Sequence, residues 1–221
     1  MMRFGTCVKN LSLSVGTATL ILTGAAMAQT TSQPAQGDQT AQAQSSQNWQ
    51  LVGVNARLDH SLDSSSVQPG QKIEARLDGT VKTASGIKLD KGAQLCGTVT
   101  QVERSSNGGP SSMTVAFTTV QRKDGKQMPV KATLLAAFPS SAENGASYGV
   151  STMPPPPRHV SSDEKIDQES GTIGNVSLHS RVQGENSGTF AKKDGNLKLA
   201  AGTFFQVGIA PMNSNTTSSG M

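Results

Sequence analysis

The 221-residue chain carries 19 Lys and Arg against 15 Asp and Glu, a formal net charge of +4, with 4% aromatic residues and two cysteines. That length holds one sizeable domain or two small ones. Acids and bases are interspersed (Glu103 beside Arg104, Lys123 beside Asp124), and no basic stripe alternates with aromatics, which argues against nucleic-acid binding; an acidic tail is also absent.

Met1–Lys9 contains Arg3 and Lys9 and no acid. Leu11–Leu22 is apolar and small, and Ala26-Met27-Ala28 precedes Gln29. This order of basic, apolar and small-residue regions predicts a secretory signal over residues 1–28, cut after Ala28. The competing reading is an uncleaved anchor. A spanning helix needs about 20 predominantly apolar residues, and Ser12, Ser14, Thr17, Thr19 and Thr23 dilute this run. Cys7 precedes the apolar run, whereas lipid attachment needs a cysteine at the cut. Removing Arg3 and Lys9 takes the 19 bases to 17 against 15 acids, a mature charge of +2. Cys7 leaves as well, so Cys96 is expected to be a reduced, small buried side chain with no intrachain partner. No later run is long and apolar enough to span a bilayer, so the mature chain is expected to be periplasmic or secreted.

Residues 29–48 (QTTSQPAQGDQTAQAQSSQN) hold no large apolar side chain and read as a disordered tether, with order beginning near Trp49. A single β domain is then expected over 49–211. Val52, Val54, Ala56, Leu58, His60 and Leu62 alternate with polar or small residues. Ile73 to Val81 does the same, as does Met128, Val130, Ala132, Leu134, Ala136, Phe138. Period-two alternation marks half-buried strands. Gln94–Glu103, Ser112–Arg122 and Gly202–Ala210 are β-rich with less regular alternation, and Ile173–Val182 and Gly188–Leu199 supply shorter candidates. Asp124-Gly125 predicts a tight hairpin between Ser112–Arg122 and Met128–Phe138. Lys91-Gly92, Asn107-Gly108-Gly109-Pro110 and Asp194-Gly195-Asn196 predict further turns. Gly79 and Gly97 fall inside strand patterns, where glycine marks a bulge or a bend. The fold class is therefore all-β, a small barrel or sandwich of short antiparallel strands, with the interior glycines favouring the barrel. Residues 140–170, with Pro154–Pro157 and several serines, read as an exposed excursion leaving and re-entering the domain. Residues 212–221 read as a flexible tail.

The residues offer no catalytic, cofactor-binding or metal-binding constellation. His60, in phase with Leu58 and Leu62, is expected to be a core or rim side chain. His159 follows the proline run, and His179, out of phase with Val176 and Leu178, should face solvent. No H-x-x-x-H, C-x-x-C or acid-rich calcium loop occurs. Asp59-His60-Ser61 contains three relay residue types, but on a strand His60 points away from the other two. There is no phosphate-binding glycine motif. Asn175-Val176-Ser177 fits a glycosylation sequon, idle in a bacterial setting.

VQPGQKIEARLDGTV, GIKLDKGAQLCGTVTQV and SSMTVAFTTVQRKDGKQMPVKATL share a cadence: Gly70, Ile73, Ala75 and Leu77, then Lys91, Gly92, Leu95 and Gly97, then Val115, Phe117, Asp124 and Gly125. With the closing GTFFQVGIA, this resembles the C-terminal β-barrel domain of TrbI/VirB10-like conjugation and type IV secretion proteins. The likeness covers Val67–Leu135 and the last strand. It implies a related barrel in the cell envelope. The family's inner-membrane helix, long Pro-rich arm and apolar helical antennae have no counterpart here, which argues against a channel subunit. The chain is thus expected to be an exported, non-enzymatic envelope scaffold or binding module with envelope proteins as partners. The alternatives are a secreted enzyme with dispersed carboxylates and a sugar- or surface-binding adhesin module.

Overall fold

A computed structural model describes residues 49–140, 160–161, 163–173 and 175–212, without the side chains of 170–172. The expected signal (1–28), the tether (29–48), the proline-bearing half of the excursion with His159, and the tail after Met212 lie outside the described residues. Among the described residues there is no helix, and the strands are β1 (Val52–Leu58), β2 (Leu62–Asp63), β3 (Lys72–Leu77), β4 (Val81–Lys82), β5 (Lys88–Leu89), β6 (Gln94–Glu103), β7 (Ser111–Gln121), β8 (Gln127–Phe138), β9 (Lys165–Ile173), β10 (Val176–Arg181), β11 (Gly188–Lys192), β12 (Lys198–Leu199) and β13 (Phe204–Pro211).

Six long strands pair antiparallel in the order β6-β3-β1-β13-β8-β7, and β7 pairs back on β6, closing a barrel. The choice between barrel and sandwich is therefore settled for the barrel. Alternation supplies its lining: Val54, Ala56 and Leu58 from β1, Ile73, Ala75 and Leu77 from β3, and Met113, Val115 and Phe117 from β7 all enter one core. Phe205 joins Phe117 and Phe190, with ring centroids 6.4 and 5.8 Å away. The barrel axis is filled by side chains, as in small barrels generally.

The wall is split on one side. β7 pairs with β8 only at Thr119–Gln121 against Gln127–Pro129, beside the hairpin. Beyond that point they part, and β7 pairs instead with β11, which carries β10 and β9 as a wing. The wing's inner side chains, Ile173, Val176, Leu178 and Phe190, continue the barrel core. Ser187 holds the fork: its N–H donates to the Val115 carbonyl and its carbonyl accepts from Leu134 N–H, each at 2.8 Å. Its buried Oγ accepts the Phe117 N–H at 2.8 Å. The open edge of β8 is met further along by Gln168, whose side-chain amide mimics a peptide group: its Oε1 accepts from Ala137 N–H at 2.8 Å and its Nε2 donates to the Ala137 carbonyl at 2.9 Å. Buried backbone polar groups require such partners.

The turn chemistry holds. Gly125 sits at φ +81° and donates its N–H to the Arg122 carbonyl, so Asp124-Gly125 is the β7–β8 hairpin tip. Gly92, Gly108 and Gly195 likewise take positive φ at the other expected turns. Gly97 lies at a register shift between β6 and β7, where an added Cβ would stand 2.3 Å from the Ala116 carbonyl oxygen. Only glycine permits that approach.

Four expectations are corrected. The run from Val52 to Leu62 is two strands, because the chain bends at Asp59-His60; His60 is exposed there and is not a core residue. Gly79 lies in the bend after β3, outside any strand, since Val81–Lys82 turns away to pair with Lys88–Leu89. In β8, a bulge opposite Gln206/Val207 inserts Leu135, so inward facing passes from Leu134 to Ala137 and not to Ala136. A bulge shifts period-two phase in this way. Finally, the segment 140–170 is not exposed throughout. Lys165–Ile173 is strand β9, and Val160 bridges Leu51. Val160, Ile166 and Val182 bury against Leu51, Leu135 and Ala210, with Trp49 packed beside them, forming a second apolar cluster. Apolar burial overrides the polar, serine-rich composition of that stretch.

Cys96 is buried in β6, as expected for a small side chain within a strand.

Candidate functional site

The outward face of the wing and its neighbouring barrel strands is a lattice of short polar side chains. Alternation places Ser177 and His179 outward on β10 while Val176 and Leu178 point to the core. Strand register then aligns residues across strands. One transverse row runs Glu103, Ser112, Ala191, Ser177, and a parallel row runs Gln101, Thr114, Thr189, His179, Asp167. The rows are tied by side-chain bonds. Ser112 Oγ donates to Glu103 at 2.9 Å, and the Thr114 and Thr189 hydroxyls meet at 3.0 Å.

A groove of about 400 Å³ lies over the first row, lined by Glu103, Ser112, Glu169, Asn175, Ser177 and Lys193 among others. A second hollow of about 360 Å³, bounded by Asp167, Arg181 and Glu185, shares His179 with it. A third, of about 290 Å³, surrounds His60 with Lys72 and Glu74.

At the boundary of the first two hollows stands a hydrogen-bonded relay. His179 Nδ1 lies 2.9 Å from Asp167 Oδ1, and its Nε2 lies 3.2 Å from Ser177 Oγ. Lys165 Nζ is 2.9 Å from the other Asp167 oxygen. The His179 bond, followed by Lys165, holds the Asp167 carboxyl below its usual range. An ionised Asp167 accepts only, so Nδ1 carries the proton, and in the tautomer with a bare Nε2 the ring accepts there. The Ser177 hydroxyl has two acceptors within reach, that Nε2 and the Ala191 carbonyl at 3.3 Å. The relay is open to water: the His179 and Asp167 side chains are 47% and 39% exposed. Asn175, at the β9–β10 turn, holds a left-handed φ of 64°, uncommon for a non-glycine residue, and lines the same groove.

Beneath the wing, Lys131 Nζ donates to the Gly184 carbonyl, and burial lowers its ammonium below the usual lysine range, with Glu185 acting in the opposite sense. Ser180 Oγ donates to the Leu134 carbonyl. These bonds tie β10 and the turn after it to β8.

His179 faces solvent as its phase predicts. Asp59, His60 and Ser61 form no relay; Asp59 instead accepts from Arg76 at 3.2 Å. The sequence reading missed Ser177, His179 and Asp167 as a group. The S-x-H spacing shows that the first two share a face, but bringing Asp167 opposite His179 depends on the register of β9, a segment read as excursion. Among the described residues, no group of three His, Cys, Asp or Glu side chains is placed to hold a metal ion.

Fold and site together define a closed six-stranded antiparallel barrel whose added three-stranded wing presents a polar groove. No family model, characterised protein or solved structure matches the chain.

Proposed function

We propose that this protein is an exported cell-envelope binding module, in which the barrel is the scaffold and the wing groove is the face that meets a partner. The observation that carries the reading is the contrast between the filled interior and the open wing. With Phe117, Phe190 and Phe205 on the axis, an internal carrier or pore role has no room. The described residues offer a concavity outside, lined by Ser111, Ser112, Ser177 and Ala191 and flanked by Glu103, Glu169 and Lys193. Such a surface supplies hydrogen bonds and charge, which suit a polar envelope component. The basic, apolar and small-residue order of residues 1–28 supports export, and the cadence shared with conjugation and type IV secretion barrels supports an envelope setting.

Two measurements test this. Expressed in a bacterium with its own start, the protein should leave the cytoplasm with an intact mass beginning at Gln29; a cytoplasmic species retaining Met1 rules export out. A photo-crosslinking residue at Lys193, in the groove, should yield envelope adducts that the same residue at Lys82, on the β4–β5 hairpin, does not. Equal adducts from both positions would remove the groove as the binding face.

A further inference from the structure

We propose that Ser177 is a nucleophile for short-chain carboxylic esters of polar alcohols, with His179 as its general base, Asp167 as the residue that orients the imidazole, and Asn175 as the donor to the developing oxyanion. This rests on the reading of the groove as a ligand-binding face and adds a chemical step to it.

The nucleophile, base and orienting carboxylate meet the geometric demands of such a relay. The base lies 3.2 Å from the nucleophile and 2.9 Å from its orienting carboxylate, through opposite ring nitrogens. A relay is recognised by such geometry and not by sequence order. The strand backbone enforces it. Ser177 and His179 are two apart on one face of β10, and Asp167 is the cross-strand partner of His179, so no side chain has to search for its neighbour. Asn175 lines the same groove as Ser177, and its carboxamide is a donor of the kind that serves oxyanion holes. Its positive φ is a backbone conformation that clusters at functional sites.

In the step itself, Ser177 Oγ attacks the ester carbonyl carbon as its proton passes to His179 Nε2. The new Oγ–C bond forms, and the C–O bond to the alcohol breaks as the imidazolium returns the proton to the leaving oxygen. Water then attacks the acyl-Ser177, again losing a proton to His179, and the carboxylic acid departs. The sum is ester and water to acid and alcohol.

The lining selects the substrate class. Two acids, Glu103 and Glu169, and two bases, Lys192 and Lys193, line the groove without net charge, which suits an uncharged ester whose alcohol hydroxyl groups donate to the carboxylates. Pro110 and Ala191 are the apolar side chains of the groove, enough for an acetyl group and too few for a long acyl chain. A single side-chain donor for the oxyanion and an open, watery relay restrict the site to esters, which are more reactive than amides.

The full chain should be incubated with a fluorophosphonate probe and the adduct located by peptide mass analysis. One adduct on Ser177 is expected, abolished in Ser177→Ala and slowed about 100-fold or more in His179→Gln, the scale of a lost general base. Asp167→Asn should slow labelling and leave the thermal midpoint within a few degrees, and 4-nitrophenyl acetate should be turned over in preference to the palmitate. Labelling of Ser177 that is unchanged in His179→Gln, or no adduct at Ser177 in a protein with its β spectrum intact, overturns the proposal. Crosslinking at Lys193 in Ser177→Ala separates the two readings. Lys193 adducts in an unmutated protein that the probe fails to label sink the chemistry alone, and absent Lys193 adducts in the unmutated protein sink the groove.

Discussion

Ser187 meets three backbone groups where β7 and β8 part, and its Oγ accepts the buried Phe117 N–H. Ser187→Ala keeps the backbone bonds but leaves that buried donor unpaired, which costs about 1–3 kcal/mol. Chemical denaturation of the variant should show that loss with little change in slope; an unchanged midpoint would mean the fork closes without the hydroxyl. Asp63 gives a pH-dependent counterpart. The Ser65 hydroxyl, then the Ser65 N–H and Lys198, hold its carboxyl below the usual range. A lowered folded pKa contributes stability that is complete above the unfolded value, about 4, and fades as pH falls through the folded one. Wild type should therefore exceed Asp63→Asn in thermal midpoint at neutral pH, with the gap narrowing below about pH 4. A gap constant to strong acid would assign the effect to packing. At this scale the sequence was partly legible. The outward aim of His179 followed from phase alone, whereas its partner Asp167 required a cross-strand register that local residues do not encode.

Strand identities were readable wherever alternation was unbroken, as in β1, β3 and the first half of β8, because side-chain direction is local. The Asp124-Gly125 hairpin was readable for the same reason, since positive φ at glycine is a one-residue property. What escaped was every feature set by another strand: the bulge at Leu135, the break at His60, and above all β9. Its sequence KIDQESGTI is polar, yet Ile166 docks among Leu51, Leu135 and Val182. That docking makes a direct prediction. Ile166→Ala should destabilise the protein by about 2 kcal/mol or more, the cost of emptying a buried apolar site, measured by urea unfolding. A change within error would restore the original reading of the segment as an excursion.

Over the molecule as a whole, the closing contacts are remote in sequence: β1 pairs with β13, and β7 with β11. The described residues belong to one compact unit, and the wing cannot detach without exposing Leu178 and Phe190 of the barrel's own core. Wing and barrel are therefore expected to unfold in one step, with the two apolar clusters lost together. The fold class was evident from composition and turns; the split wall was not, because it arises from where a long strand changes neighbours.

The pairing of the first long strand with the last has a consequence for how the chain is strung. Val52 faces Ile209 in an antiparallel pair, so the backbone enters and leaves the barrel side by side. Topologically the domain is a closed loop of strands cut at an arbitrary point. A short bridge from Met212 back to Trp49, with the chain reopened at the exposed Asp124-Gly125 tip, preserves every strand neighbour. Such a rearranged chain should give the same β spectrum and a single thermal transition. If it gave neither, the order in which strands emerge during synthesis, and not only their final company, would be part of what the sequence specifies.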